Sequence, residues 1–162
     1  MAVGPVLKQW DFELILTSPL QRAEETCRLA GFSVTALVDP DLREWDYGEY
    51  EGITSAEIRR QNPDWSLWRD GCPGGERPAD VGRRADRVVG QLERAAGNVL
   101  VFSHGHFLRV LAARWLGLEP AAGQYFALST ASVSTLGYEH QNRVLRGWNL
   151  TPDIGQLYRT KS

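Results

Sequence analysis

Leu100 to Leu111, LVFSHGHFLRVL, is an apolar run that ends in Ser103-His104-Gly105 just where a helical repeat begins. A buried strand that feeds a helix through a glycine leaves free backbone N–H groups and the positive end of the helix dipole aimed at one spot, here beside an imidazole. A phosphate group is the natural guest of such a corner. A second corner, Ser18-Pro19-Leu20-Gln21-Arg22-Ala23, follows the apolar run Glu13–Thr17 and carries an arginine one turn into its own helix. Ser18 as N-cap and Pro19 at the first helical position would start that helix, and Gly31 would stop it after Ala30. Two corners of this kind constrain the fold to α/β, with a mainly parallel sheet between helices and ligands at the carboxyl ends of the strands.

The remaining pattern agrees with that class. Val34–Val38 reads as a second strand, turned by Asp39-Pro40-Asp41, and LREWDYGEYEG (42–52) reads as a structured loop, too rich in glycine and aromatics for a helix. Thr54 and Glu57 form a capping box that opens a helix ending before Asn62-Pro63. Trp65 and Trp68 are expected on one face of a short helix, followed by the Gly/Pro loop GCPGGE, so that 65–77 could cover a substrate with Glu76 closing it. Apolar residues at helical spacing predict a helix over 79–96, then a strand over 99–102 and a helix over 105–116. Ser132–Tyr138 and Arg143–Trp148 are expected to pair around His140-Gln141-Asn142.

A chain of 162 residues fits one domain, 1–162, with a core large enough to stand without disulfides or metals. Its net charge of −2 provides no basic field for nucleic acid or an anionic membrane, so any phosphate affinity must be local. Cys27 and Cys72 stand alone and make neither a disulfide framework nor a zinc site, which points to a reducing, cytoplasmic setting. No segment has the length of a membrane span and no export signal is present, so neither membrane insertion nor export is expected. Oligomeric state stays open, a homo-oligomer included.

His104 is the first candidate for chemistry, since an idle imidazole at a strand-to-helix corner is costly to keep. Arg22 opposes its helix dipole, which suggests an anionic partner, although an ion pair with Glu24, Glu25 or a neighbouring loop carboxylate competes with that reading. Among the loop acids Glu44, Asp46, Glu49 and Glu51, Glu44 is the choice for a proton donor, with Glu49 and Glu51 fixing the loop through backbone hydrogen bonds. Gly105 belongs with the phosphate binders, and Ser18, Tyr47 and His106 with the substrate pocket. No metal or cofactor is called for.

SPLQRA, LREWDYGEYEG and SHGHFLRVLAARWLGL, in this order and spacing, resemble the histidine phosphatase superfamily in its phosphoglycerate mutase-like branch. GCPGGE and TASVSTLGYEH are similar to its small bacterial acid phosphatase members. The resemblance implies a phosphomonoester hydrolase acting on small phosphorylated metabolites through a phosphohistidine. Arg22 would grip the phosphoryl oxygens, His104 would stabilise their charge, and Glu44 would protonate the leaving oxygen. The family's nucleophile belongs to an Arg-His-Gly motif on a central first strand, and the triplet occurs nowhere here. By that comparison the first central strand is absent and the chain is N-terminally truncated. A noncatalytic phosphoryl-ligand-binding or interaction protein, and a phosphoglycerate mutase, are the alternative readings.

Overall fold

Strand β1 (Leu14–Thr17) is the middle of a three-stranded parallel sheet, flanked by β2 (Leu37–Val38) and β3 (Val99–Phe102) in a computed structural model that describes residues 3–151. Its place follows from its side chains: Ile15, Leu16 and Thr17 are all buried, as a strand covered on both faces requires. Thr17 pairs with both Phe102 and Val38, so the three strands end level. The Ser18 N–H donates to the Phe102 carbonyl at 2.9 Å, which sends the two strand-to-helix corners out of the sheet side by side.

Helices cover both faces. On one side α1 (Gly4–Leu7) and α2 (Gln21–Ala30) bury Leu7, Cys27 and Ala30 against Ile15 and Phe102. On the other, α5 (Pro78–Arg94) and α6 (Gly105–Trp115) pack Val81, Ala85 and Val88 against Phe107 and Val110 in the larger core. Between them run two short helices, α3 (Ser55–Gln61), opened by the expected Thr54/Glu57 capping box, and α4 (Leu67–Asp70). The antiparallel pair β4 (Val133–Glu139) and β5 (Asn142–Leu150) turns at His140, whose φ is +54°, and Leu136 packs on the larger core. Among the described residues no ladder joins this pair to the parallel sheet. No helix among them is long and apolar enough to cross a membrane.

Three local expectations change. The second strand shrinks to Leu37–Val38, because Thr35 and Ala36 spend their N–H groups on a turn back to the Phe32 carbonyl and Val34 projects into solvent. Helix α2 starts at Gln21 with an extended Leu20 as its N-cap, not at Pro19, since the Ser18 backbone is still bonded to β3. Trp65 precedes α4, and its indole N–H donates to the Gly71 carbonyl at 2.9 Å instead of sharing a helix face with Trp68.

Candidate active site

His104 sits at the N-cap of α6 and is buried, with its Nε2 2.7 Å from the Ser18 hydroxyl. That hydroxyl accepts the Leu20 N–H at 3.2 Å, so its own hydrogen is free to point at Nε2. With that hydrogen donated, Nε2 accepts and the neutral imidazole carries its proton on Nδ1. Every buried side-chain nitrogen and oxygen among the described residues has a partner, and Nδ1 has none, so Nδ1 lies on accessible surface. Burial pushes the His104 pKa below its ordinary value, Arg22 pushes the same way, and Glu44 opposes them. Both side chains expected around the phosphoryl group are therefore close enough to act on this ring.

Ser18 is fully buried behind the imidazole, so it orients His104 instead of lining a pocket. Arg22, second in α2, is exposed. Glu25 is taken by Arg28 at 2.6 Å, and no carboxylate among the described residues lies within ion-pair distance of the Arg22 guanidinium. The competing ion-pair reading of Arg22 has no support.

The Glu44 carboxylate accepts three backbone N–H groups: Trp45 at 3.0 Å, His106 at 3.3 Å and Phe107 at 3.0 Å. Two of these are orphan donors of the first turn of α6, which the sequence alone offers to a bound phosphate. The first anion at this helix start is thus the protein's own carboxylate. Gly105, exposed at the first helical position, brings the Glu44 Oε2 within 4.0 Å of the place a Cβ would occupy. What the corner still presents to a ligand is the His104 Nδ1, the Gly105 N–H and the Arg22 guanidinium, with a carboxylate beside them.

A residue that sequence reasoning passed over holds Glu44 in place. Arg84 of α5, almost fully buried, pairs with Glu76 through Nε and Nη2, each at 2.7 Å. Its Nη1 donates to the carbonyls of Asp41 (2.6 Å) and Arg43 (3.1 Å), and its face covers the Phe107 ring. Glu76 in turn accepts the Asp46 N–H at 3.0 Å, while its own carbonyl takes the Trp45 indole N–H. Glu76 is therefore part of a clamp on residues 41–46 and closes no cover. Segment 71–77 is likewise no free lid, because the Glu49 N–H donates to the Pro73 carbonyl, the Glu76 N–H donates to the Asp46 carbonyl, and Gly48 meets Gly75 and Pro73 backbone to backbone. The loop is fixed by Asp46 and Glu76, whereas neither the Glu49 nor the Glu51 carboxylate accepts a hydrogen bond among the described residues. An arginine inside an apolar helical stripe was the available signal for the clamp.

Tyr47 and His106 do meet: the phenol oxygen lies 2.6 Å from Nδ1. Burial first, then Glu44 and Glu51, push the Tyr47 phenol far above its ordinary range, so it keeps its O–H beside His106 Nδ1. Burial also holds His106 below its usual pKa, with Glu44 opposing. Trp68 stands edge-on to the His106 ring at 5.5 Å and is capped by the Arg109 guanidinium at 4.5 Å. Beside this pair opens a recess of about 270 Å³ walled largely by Tyr50, Ile53, Ile58 and Trp65. A larger groove of about 770 Å³ between α4, α5 and the turn Pro120–Tyr125 touches none of Arg22, Glu44 or His104. Among the described residues no group of three or more His, Cys, Asp or Glu is placed to hold a metal ion.

Two strand-to-helix corners leave the sheet side by side, one bearing Arg22 and the other His104 with the Glu44 carboxylate on its helix start. Residues 1–151 match the model of the histidine phosphatase superfamily, branch 1, and the chain belongs to that family. It is 44% identical over 143 residues to an acid phosphatase of Mycobacterium tuberculosis, spanning 87% of this chain and 70% of that protein. The solved structure of an open reading frame product from Mycobacterium tuberculosis covers 93% of this chain with a TM-score of 0.86 at 42% identity, over 79% of its own length. A mycobacterial glucosyl-3-phosphoglycerate phosphatase, solved with VO3, superposes with a TM-score of 0.80 at 29% identity, covering 93% of this chain and 82% of its own.

Proposed function

We propose that Arg22, His104, Gly105 and Glu44 form the phosphoryl site of a phosphomonoester hydrolase of the histidine phosphatase type, acting on small phosphorylated metabolites. The observation that carries this reading is the Glu44 carboxylate seated on the helix start that bears His104, with Arg22 near enough to bias the imidazole. Relatives named as phosphatases support it. Arg22 and the Gly105 N–H take the non-bridging oxygens, and the His104 Nδ1–H meets the charge that grows on them in flight. As an acceptor imidazole bonds to phosphorus, the bond to the alcohol breaks and the Glu44 carboxyl gives its proton to the departing oxygen. Glu44 then draws a proton from water as the water oxygen bonds to phosphorus, the nitrogen leaves, and phosphate is released.

Residues 1–162 contain no Arg-His-Gly triplet to supply that acceptor, and His104 has its Nε2 committed to Ser18. The reading therefore assigns phosphoryl binding without turnover to the 162-residue chain. With p-nitrophenyl phosphate it is expected to release no nitrophenol above the buffer rate and to form no acid-labile phosphohistidine, while vanadate raises its melting temperature. Turnover abolished by His104→Ala would make His104 the acceptor and overturn these roles. The lack of the triplet equally favours a second reading, a noncatalytic phosphoryl-ligand-binding protein. The coding DNA upstream of Met1 separates the two: an in-frame Arg-His-Gly segment belongs to the hydrolase.

A further inference from the structure

We propose that Ser103 is a positioning residue for Glu44: its hydroxyl ties the loop of the acid to the same strand-to-helix corner that carries His104, so that carboxylate and imidazole keep one spacing. The proposal deepens the phosphoryl-site reading and rests on it. Ser103 lies half-buried between the end of β3 and the N-cap of α6, and its Oγ donates to the Leu42 carbonyl at 2.7 Å. Leu42 is fully buried, and only Arg43 separates it from Glu44, so a hold on its backbone is passed directly to the acid.

Two observations set this bond apart from an ordinary turn contact. The first is that Arg84 does not duplicate it. Arg84 donates to the carbonyls of Asp41 at 2.6 Å, Arg43 at 3.1 Å and Glu44 at 3.4 Å, passing over that of Leu42, which Ser103 takes. The Arg84 contacts fix the loop to α5, whereas the Ser103 contact fixes it to the residue next to the imidazole. The second is that the attachments bracket His104. On one side of it in sequence Ser103 holds the Leu42 backbone, and on the other the His106 and Phe107 N–H groups hold the Glu44 carboxylate at 3.3 and 3.0 Å. The carboxylate reaches the helix through rotatable side-chain bonds, so it is the backbone tie that sets where the Glu44 Cα can lie. A carbonyl of a buried residue that loses its donor must find water or another partner, and the chain moves with it.

The His104 ring reports the spacing. Burial and Arg22 lower its pKa and Glu44 raises it. General loosening that let water reach the ring would weaken the burial effect and raise the midpoint, whereas a Glu44 that drifts away lowers it. The sign of the shift therefore separates a merely structural role for Ser103 from a positioning one.

Proton NMR titration of the ligand-free 162-residue protein is the test, with Glu44→Gln as the reference for a corner stripped of its carboxylate charge. Glu44→Gln is expected to lower the His104 midpoint. Ser103→Ala, and Ser103→Cys, whose thiol is a weak donor of similar volume, are each expected to lower it by at least half as much. Ser103→Thr keeps the hydroxyl and should titrate as the parent does. Adding Ser103→Ala to Glu44→Gln should shift nothing further, because the acid's charge is already gone. A midpoint unchanged or raised in Ser103→Ala and Ser103→Cys, a lowering shared by Ser103→Thr, or one that persists in the Glu44→Gln background would overturn the assignment and leave the phosphoryl site standing. A midpoint indifferent to Glu44→Gln would take the carboxylate away from the corner, and the phosphoryl-site reading would fall with the proposal.

Discussion

His104 is a buried imidazole whose neutral form is favoured by its surroundings and whose charge Arg22 opposes. Burial and Arg22 lower its pKa, so a bound phosphate dianion, which offsets both, must raise it. A proton NMR titration should give a His104 midpoint below the ordinary 6.5 in the free protein and an upward shift when orthophosphate is saturating. A midpoint at or above 6.5 in the free protein, or one indifferent to phosphate, would contradict the burial and the contact respectively. The sign carries over to stability. Because the folded pKa of His104 and His106 lies below the unfolded one, the unfolded chain binds more protons in that interval. Their contribution is intact above about pH 6.5 and is lost as the pH falls toward the folded values.

At the scale of elements, segment 43–47, which carries Glu44 between two short 3-10 turns, is neither helix nor strand, so its geometry depends on what grips it. Arg84 and Glu76 supply that grip from α5 and from the segment before it. Removing one partner leaves the other charge buried and unpaired, so Arg84→Met and Glu76→Gln should each lower unfolding free energy by about 3 kcal/mol in urea melts. The same changes should weaken vanadate binding, because Glu44 loses its frame; a loss under about 0.5 kcal/mol would show that the pair holds nothing. Helices α2, α3, α5 and α6 and strand β3 were legible in the sequence through their apolar spacing and end signals, from Thr54/Glu57 to Gly31. The extent of strand β2 was not, since two residues pairing on an exposed edge leave almost no pattern to bound it. His104, Arg22 and Glu44 could be picked out because each sits at an element end whose chemistry is local. The occupation of the α6 N–H groups by Glu44, and the clamp on its loop, are contacts across 30 to 63 positions of sequence, which no local spacing encodes.

For the whole molecule, the decisive arrangement is topological. A parallel sheet in the order β2-β1-β3 places the ends of β1 and β3 side by side, so one corner brings a guanidinium and the other an imidazole to the same rim. Had β1 and β3 been antiparallel, the two corners would lie at opposite ends of the sheet. The helices on both faces leave that rim as the open end, and α5 reaches across to steady the loop that delivers the carboxylate. The most direct test of this account is calorimetric titration with orthophosphate of the unaltered chain, of Arg22→Ala and of His104→Gln. The account predicts measurable binding by the unaltered chain and at least a tenfold loss in each variant, with Arg22→Ala melting as the parent does because its side chain is exposed. Orthophosphate affinity unchanged in Arg22→Ala would contradict it, since the two corners would then not share a ligand.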